Sequence, residues 1–267
     1  MKLPLSAAVV DSLVILPEVG STNDELVRRA SAGTLPDFSV VVTGSQTAGR
    51  GRLGRVWVAP PGASLAISVL LRPVLPAGQP LELGHFGWLP LIAGIAMTRA
   101  VQTLVPAGRV GLKWPNDVQI DGLKVSGLLA ELLPGGDAVV MGAGVNLSLT
   151  RDQLPTPVST SLALSGATPT GDELADRTLS AYLTALHGLY TDFVRLGADP
   201  AASGVAEQLT ELCTTIGQQV KVELPGADDL VGTATGIDAA GRLQVRRSSD
   251  GRVTAVAAGD VTHLRYE

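Results

Sequence analysis

A change of hydrophobic pattern near residue 214 constrains the fold of this chain more than any other feature. Before it, β-branched runs alternate with long segments of helical period, the clearest being residues 89–104 and 172–195. After it come only short alternating segments separated by turns that contain glycine. These segments are residues 220–224, 233–237, 243–245 and 253–256. We therefore predict a domain of helices and strands over residues 1–214 and a small β-barrel over residues 215–267.

The composition excludes several classes of protein. Of the 267 residues, 45% are hydrophobic and 17% are charged, which rules out a disordered chain. The net charge of −5 argues against a dedicated binder of nucleic acid or of an anionic membrane. The longest apolar stretch, residues 86–98, contains Pro90 and is too short to span a bilayer. Because Cys213 is the only cysteine, there is no disulfide framework, and we expect a cytoplasmic protein.

A glycine-rich loop over residues 49–55 follows a predicted strand. It matches the G-x-G-x-x-G pattern of dinucleotide-binding folds, but that fold requires a helix to begin at the third glycine, Gly54. Val56-Trp57-Val58 and two prolines follow instead, which disfavours a helix. The loop also carries Arg50, Arg52 and Arg55, and guanidinium groups bind phosphate and carboxylate oxygens in a bidentate manner. An anion site is one interpretation, and a solvated surface loop is the other.

A second candidate site is the run Lys113-Trp114-Pro115-Asn116-Asp117. A predicted strand ends there in a rigid turn, so a lysine, an asparagine and an aspartate are delivered together. A capped turn with no further role is the alternative. The three histidines, His85, His187 and His263, have no spacing typical of metal ligands.

Together these segments resemble the biotin protein ligases. The matching elements occur in the family's order over residues 21–146, and the predicted C-terminal barrel also fits. The elements are Ser21-Thr22-Asn23, Gln46, the run from Gly49 to Arg55, Trp57, Lys113-Trp114-Pro115-Asn116-Asp117, Lys124 with Gly127, and Gly142-Ala143-Gly144-Val145-Asn146. The resemblance implies an α+β fold, with a mixed-sheet biotin/lipoyl-ligase catalytic domain followed by a small C-terminal SH3-like β-barrel.

The resemblance also implies a two-step reaction with biotin and ATP as substrates and Mg²⁺ as cofactor. Biotin's carboxylate is first joined to the α-phosphate of ATP, and a lysine of a biotin carboxyl carrier protein then attacks biotinyl-5′-AMP. The implied partner is a subunit of acetyl-CoA or propionyl-CoA carboxylase. Only 20 residues precede Ser21, whereas three helices need about 10 residues or more each, so we expect the form without a DNA-binding domain.

Three groups of residues receive roles from the resemblance. Catalytic roles fall to Arg50, Lys124 and Asp117. Contacts with biotin fall to Ser21, Thr22, Asn23, Gln46, Arg50, Gly51, Arg52, Lys124 and Gly127. Contacts with ATP and the adenylate fall to Arg52, Arg55, Trp57, Lys113, Asn116 and Asn146. Trp114 is expected in the core.

Some of these roles have plain structural alternatives. Ser21 or Thr22 can serve as a helix cap, and Trp57 can be an ordinary core residue. Asp117 either holds Mg²⁺ beside the phosphates or orients the incoming lysine, and the sequence leaves both open.

Three other functions also remain open. Lipoate ligases and transferases share the general fold but lack the arginine loop and the Lys-Trp-Pro-Asn-Asp run. A nicotinamide-dependent oxidoreductase would use the glycine pattern, and a biotin-binding module would have no enzymatic activity.

Overall fold

The structure is a computed structural model that describes residues 1–33, 35–223, 228–257 and 260–263. The helices are α1 (Pro4–Ala7), α2 (Thr22–Ala32), α3 (Trp88–Leu104), α4 (Gly171–Arg195) and α5 (Val205–Leu212). The first nine strands are β1 (Leu13–Leu16), β2 (Val40–Thr43), β3 (Gly49–Arg50), β4 (Val56–Trp57), β5 (Ser64–Leu71), β6 (Val110–Lys113), β7 (Asp117–Ile120), β8 (Leu123–Leu132) and β9 (Val139–Asn146). The last five are β10 (Gln219–Glu223), β11 (Leu230–Ile237), β12 (Leu243–Arg247), β13 (Val253–Val256) and β14 (Asp260–His263).

Seven strands form one mixed sheet in the order β1-β2-β5-β9-β8-β7-β6. Only β1 and β2 are parallel, and all other neighbours are antiparallel. The helix α3 packs against β6, β7, β8 and β9, and α4 packs on α3. Because α3 lies between the sheet and another helix, almost all of its side chains are buried. The predicted α+β class with a mixed sheet is confirmed.

The two faces of this sheet differ in side-chain size, as β5 illustrates. Leu65, Ile67, Val69 and Leu71 point to the face that joins the core with α3. Alternate residues of β5 point to the other face, and near the start of the strand they are small: Ser64, Ala66 and Ser68. Leu70 ends this series and packs beneath Leu26 of α2. The second face is therefore filled by α2 at one end and left open at the other.

The C-terminal strands form a separate five-stranded antiparallel sheet in the order β13-β12-β11-β10-β14. This sheet is consistent with the small SH3-like domain that was predicted. Leu224, expected at the end of a strand, lies outside the described residues.

The β11–β12 turn contacts two buried tryptophans: Trp88 Nε1 donates to the Ala239 carbonyl at 2.9 Å, and Trp114 Nε1 to the Gly241 carbonyl at 3.3 Å.

Four short elements were not predicted, namely α1, α5, β14 and β3, which lies in the segment predicted to be a loop. The segment that forms α5 has apolar residues at helical spacing, Val205, Leu209 and Leu212, but spans only eight residues. Helices this short are marginal alone, and tertiary packing against α3 and β6 stabilises this one.

Within the described residues, no helix is long and apolar enough to cross a membrane.

We predict that Trp88→Phe lowers the free energy of unfolding by about 1–3 kcal/mol, because Ala239 loses a donor and the buried site loses ring volume. Urea denaturation followed by far-UV circular dichroism measures the change. Leu83→Ala is the control, since Leu83 is 63% exposed and its loss should cost less than about 0.5 kcal/mol. Equal effects of the two substitutions would contradict the anchoring role of Trp88.

Candidate functional site

A cavity of about 470 Å³ occupies the open end of the second sheet face. Its walls come from α2, the β3–β4 hairpin, β7, β8, β9 and residues 155–159, with Val261 reaching it from β14. Every predicted site residue lines it. They are Ser21, Thr22, Asn23, Gln46, Arg50, Gly51, Arg52, Arg55, Trp57, Lys113, Asn116, Asp117, Lys124, Gly127 and Asn146. Trp114 is 2% exposed and belongs to the core, as predicted.

Strand pairing builds the floor of the cavity from small residues. One row across the sheet runs Ala66, Gly144, Gly127 and Asp117. The row on one side of it contains Ser68, Gly142 and Leu129, and the row on the other side contains Ser64 and Asn146. Since successive residues on one face of a strand are about 6.6 Å apart, Gly142 and Asn146 mark a length of about 13 Å.

Three glycines of this floor make room for three functional side chains. A Cβ at Gly142 would overlap the side-chain amide of Asn23. A Cβ at Gly144 would lie 2.5 Å from the indole of Trp57, and one at Gly127 would lie 2.8 Å from Lys124 Nζ. Any larger residue would have to displace these groups. The glycines therefore let Asn23, Trp57 and Lys124 rest directly on the backbone of the sheet.

The N-terminus of α2 supplies the polar groups at one end of the cavity. Ser21 is the N-cap, and its hydroxyl accepts from the Asp24 amide at 3.3 Å. Gln46 Oε1 accepts from the Thr22 amide at 2.8 Å and lies 3.1 Å from the Thr22 hydroxyl. The Ser68 hydroxyl lies 2.8 Å from Thr22 Oγ1 and 2.5 Å from Asn23 Oδ1. Capping and cavity lining are thus combined in the same residues.

Ion pairs stabilise the same helix. Glu25, one residue beyond Asp24, accepts from Arg28 and Arg29 at 2.6–2.8 Å. Hydrogen bonds from these guanidinium groups lower the pKa of the Glu25 carboxyl to about 2.

The arginine loop is a β-hairpin. Gly49 pairs with Trp57 and Arg50 with Val56, and between them Leu53 and Gly54 have φ of 55° and 73°. A strand, β4, follows Gly54 where a dinucleotide-binding fold needs a helix. The dinucleotide-binding alternative is therefore wrong.

Two arginines join this hairpin to the body of the domain. Arg50 forms ion pairs with Asp24 and with Glu131, the latter at 2.9 Å. The Arg52 Nη1 group donates to Asn116 Oδ1 at 2.9 Å, while Asn116 Nδ2 donates to the Leu128 carbonyl at 2.9 Å. The guanidinium groups are thus held at the cavity.

Lys124 and Asp117 form an ion pair beside Gly127. Lys124 Nζ lies 2.6 Å from Asp117 Oδ1, and both side chains are about a third exposed or less. Asp117 Oδ1 is buried and has no well-aligned hydrogen bond within the described part of the chain. Among the described residues that line the cavity, Asp117 is the one acidic residue, against five basic ones. The cavity is therefore locally basic although the whole chain is acidic.

The opposite end of the cavity is formed by Asn146 and residues 155–159. Asn146 Nδ2 donates to the Thr160 carbonyl at 2.9 Å. The Lys124 amide donates to the Val158 carbonyl, and the Thr160 amide to the Lys124 carbonyl, each at 2.8 Å. Trp57 Nε1 is buried and finds no acceptor among the described residues. This end therefore presents the indole of Trp57 to a ligand in the cavity.

Sequence reasoning missed Ser68, Asp24, Glu131 and the wall over residues 155–159. Small residues two apart in β5, Ser64, Ala66 and Ser68, were a signal for an open sheet face. The contacts of Glu131 depend on long-range pairing, and the sequence contains no signal for them.

Comparison with known proteins shows which protein family the chain resembles. Residues 16–146 match the biotin/lipoate A/B protein ligase family, and residues 215–264 match the biotin protein ligase C-terminal domain. A biotin--[acetyl-CoA-carboxylase] ligase of Mycobacterium tuberculosis is 38% identical, over 95% of this chain and 89% of that protein. The bifunctional ligase/repressor BirA of Escherichia coli is 32% identical, over 94% of this chain and 74% of that protein.

Solved structures give the same result. The biotin protein ligase of Aquifex aeolicus in complex with biotin and ATP has a TM-score of 0.70 and 25% identity, and the match covers 96% of this chain and 100% of that one. The Leishmania major enzyme in complex with biotinyl-5-AMP has a TM-score of 0.60 and 27% identity, covering 93% and 100%. With the sheet, the arginine hairpin and the Lys124–Asp117 pair in the same chain, this protein belongs to the biotin protein ligase family.

Proposed function

We propose that this chain uses ATP to convert biotin to biotinyl-5′-AMP and then transfers the biotinyl group to a lysine of a biotin carboxyl carrier protein. That carrier is a subunit of acetyl-CoA carboxylase, as the name of the Mycobacterium tuberculosis relative suggests, or of propionyl-CoA carboxylase. The order of the side chains on the floor of the cavity is the observation that supports this proposal most directly. The row with Trp57 and Lys124 lies between the row with Asn23 and the row with Asn146.

The first step is electrostatically difficult. A carboxylate must approach the α-phosphate of ATP, and both groups are negatively charged. The site therefore has to supply positive charge that acts most strongly as charge develops on the α-phosphoryl group. Basic residues that line the cavity meet this requirement: Arg50, Arg52, Arg55, Lys113 and Lys124.

We assign biotin to the end of the cavity at α2. Biotin has largely apolar fused rings and a polar ureido group, which suits an apolar cleft with a few fixed donors and acceptors. Ser21, Thr22, Asn23 and Gln46 are the polar groups there. The carboxylate then extends toward Arg50, Gly51 and Arg52, and toward Lys124 beside Gly127.

We assign the nucleotide to the other end. Adenine stacks on Trp57, whose buried indole N–H has no acceptor among the described residues, and Asn146 lies at the adjoining floor. Arg52, Arg55, Lys113 and Asn116 surround the phosphates. Lys124 lies between the two ends and bridges the carboxylate and the α-phosphate.

The described side chains alone do not form a magnesium site. Mg²⁺ bound by protein needs oxygen ligands in near-octahedral geometry, usually one or two carboxylates plus substrate phosphates. The described residues contain no cluster of three or more metal-ligating side chains, and Asp117 Oδ1 already lies 2.6 Å from Lys124 Nζ. No step is therefore assigned to a protein-bound magnesium ion.

Asp117 is better suited to a role in the transfer of the biotinyl group to the carrier lysine than to binding magnesium. The carrier lysine arrives as an ammonium group with a reference pKa of about 10.4 and must lose a proton before it attacks. A carboxylate has about four acceptor positions on its two oxygens, so Asp117 can accept a hydrogen bond from this amine while it contacts Lys124. Asp117 thus orients the incoming lysine and holds Lys124 at the same time.

We also infer a division of labour along the chain. Residues 1–214 form the catalytic domain and residues 215–267 the barrel, which reaches the cavity through Val261. One cysteine, Cys213, and the use of ATP favour a cytoplasmic location.

Release of pyrophosphate tests the proposed function. The protein mixed with ATP and biotin should release pyrophosphate and form a biotinyl-adenylate, whereas lipoate in place of biotin should give neither. Activity with lipoate alone would support a lipoate ligase. Biotin binding without pyrophosphate release would support a non-enzymatic module.

Lys124→Ala should slow biotinyl-adenylate formation at least about 100-fold at saturating substrates, because it removes about 2.7–4 kcal/mol of transition-state stabilisation. Single-turnover rapid quench measures this rate. Lys221→Ala is the matched control, since Lys221 pairs with Asp229 at 2.8 Å on the C-terminal sheet and an exposed pair contributes only about 0–1 kcal/mol. If the rate for Lys124→Ala stayed within about threefold of the parent, Lys124 would have no role in stabilising the transition state.

Gly142→Ala and Gly144→Ala should separate the two substrates. Neither glycine has a left-handed backbone, so alanine changes only the space above the strand. The Cβ at 142 displaces Asn23 and the Cβ at 144 displaces Trp57, each costing about 1–3 kcal/mol, or about 5- to 150-fold in affinity. Steady-state kinetics should give a raised KM for biotin with Gly142→Ala and a raised KM for ATP with Gly144→Ala. The reverse pattern would invert the assignment of the two ends.

A further inference from the structure

Glu131 connects two parts of the cavity that are far apart in sequence. Its side chain lies on β8, one row beyond the pair of Leu129 and Gly142. Its Oε2 accepts from Asn23 Nδ2 at 2.6 Å, and its carboxylate lies 2.9–3.0 Å from Arg50 Nη2. The side chain is 28% exposed, so this ion pair is partly shielded from water. The reaction described above gives Glu131 no role.

The contacts of Asn23 depend on Glu131 for their orientation. A carboxylate and a carbonyl oxygen only accept hydrogen bonds, so the nitrogen of the Asn23 amide must face Glu131 and the Leu129 carbonyl, which is 3.4 Å away. The oxygen of the amide then faces the Ser68 hydroxyl at 2.5 Å. A flipped amide would put two acceptors against Glu131, and this is unfavourable.

Arg50 is held by one of its nitrogen atoms. Asp24 and Glu131 both contact Nη2, and within the described structure Nη1 and Nε have no hydrogen-bond partner. A guanidinium group is a planar fork with five N–H donors, so two nitrogen atoms remain for an anion in the cavity. The carboxylates thus fix the position of the fork and leave donors for a ligand.

We propose that Glu131 is a positioning residue for biotin, holding the Asn23 amide and the Arg50 guanidinium in one arrangement before the ligand binds. This rests on the proposed function. Fixing both groups in advance removes part of the cost of ordering them on binding. Loss of Glu131 therefore weakens the binding of biotin. Once the substrates are bound, their own carboxylate and phosphate groups hold Arg50, so the chemical step changes little.

Two substitutions at one position test this. Glu131→Gln keeps a side-chain oxygen that can accept from Asn23 but loses the charge that holds Arg50, whereas Glu131→Ala loses both contacts. Titration calorimetry without ATP should give a biotin Kd raised about fivefold for Gln and at least about 20-fold for Ala. The kcat for adenylate formation at saturating biotin should stay within about threefold of the parent for both.

Asp137→Asn is the matched control. Asp137 lies in the turn that joins β8 to β9, the same two strands, and pairs with Arg72 at 2.9 Å. Its loss removes an ion pair of similar length away from the cavity, so the biotin Kd should change less than about twofold. Glu131→Gln is nearly isosteric with the parent and carries the test if Glu131→Ala does not fold.

Three outcomes would overturn the proposal. Tighter biotin binding by Glu131→Gln would mean that the carboxylate competes with the ligand for Arg50. A Kd within about twofold of the parent, or a kcat that falls as much as the affinity, would also contradict it. A parent protein that neither binds biotin nor releases pyrophosphate contradicts the proposed function itself. An active parent with an unchanged variant contradicts only the role of Glu131.

Discussion

The structure of the site depends on the absence of side chains at three positions of one sheet face. Gly127, Gly142 and Gly144 lie in neighbouring rows of the same sheet, and a Cβ at any of them would overlap a functional side chain. The opposite face of the same strands carries the large apolar residues that form the core with α3. Alternation along each strand thus separates stability from function: one face is packed, and the other is kept low enough to hold a ligand.

Basic side chains around the floor of the cavity are paired with acidic side chains. The five basic residues that line the cavity lie in a chain with a net charge of −5, and acidic partners restrain two of them: Asp117 contacts Lys124, while Asp24 and Glu131 contact Arg50. A cation held in place before the substrate arrives loses little further conformational freedom when the substrate binds. The acidic residues therefore keep the cations in position as well as neutralising them.

The sequence predicts most of this structure where the signal is local. Hydrophobic period and turn spacing located the two long helices, α3 and α4, and the short strands of the C-terminal sheet. The order of motifs identified the cavity residues through the family resemblance. The parts that the sequence did not predict depend on contacts between residues far apart in the chain. Tertiary packing stabilises α5, and Glu131 acquires its partners only when β8 is paired and α2 is docked.

A crystal structure with a non-hydrolysable biotinyl-adenylate analogue tests the central claim most directly. We expect the bicyclic ring of biotin beside Asn23 at the Gly142 end, the acyl-phosphate linkage beside Lys124, and adenine against Trp57 at the Gly144 end. A ligand bound in the opposite direction, or one that does not contact Asn23, Lys124 and Trp57, would contradict this arrangement.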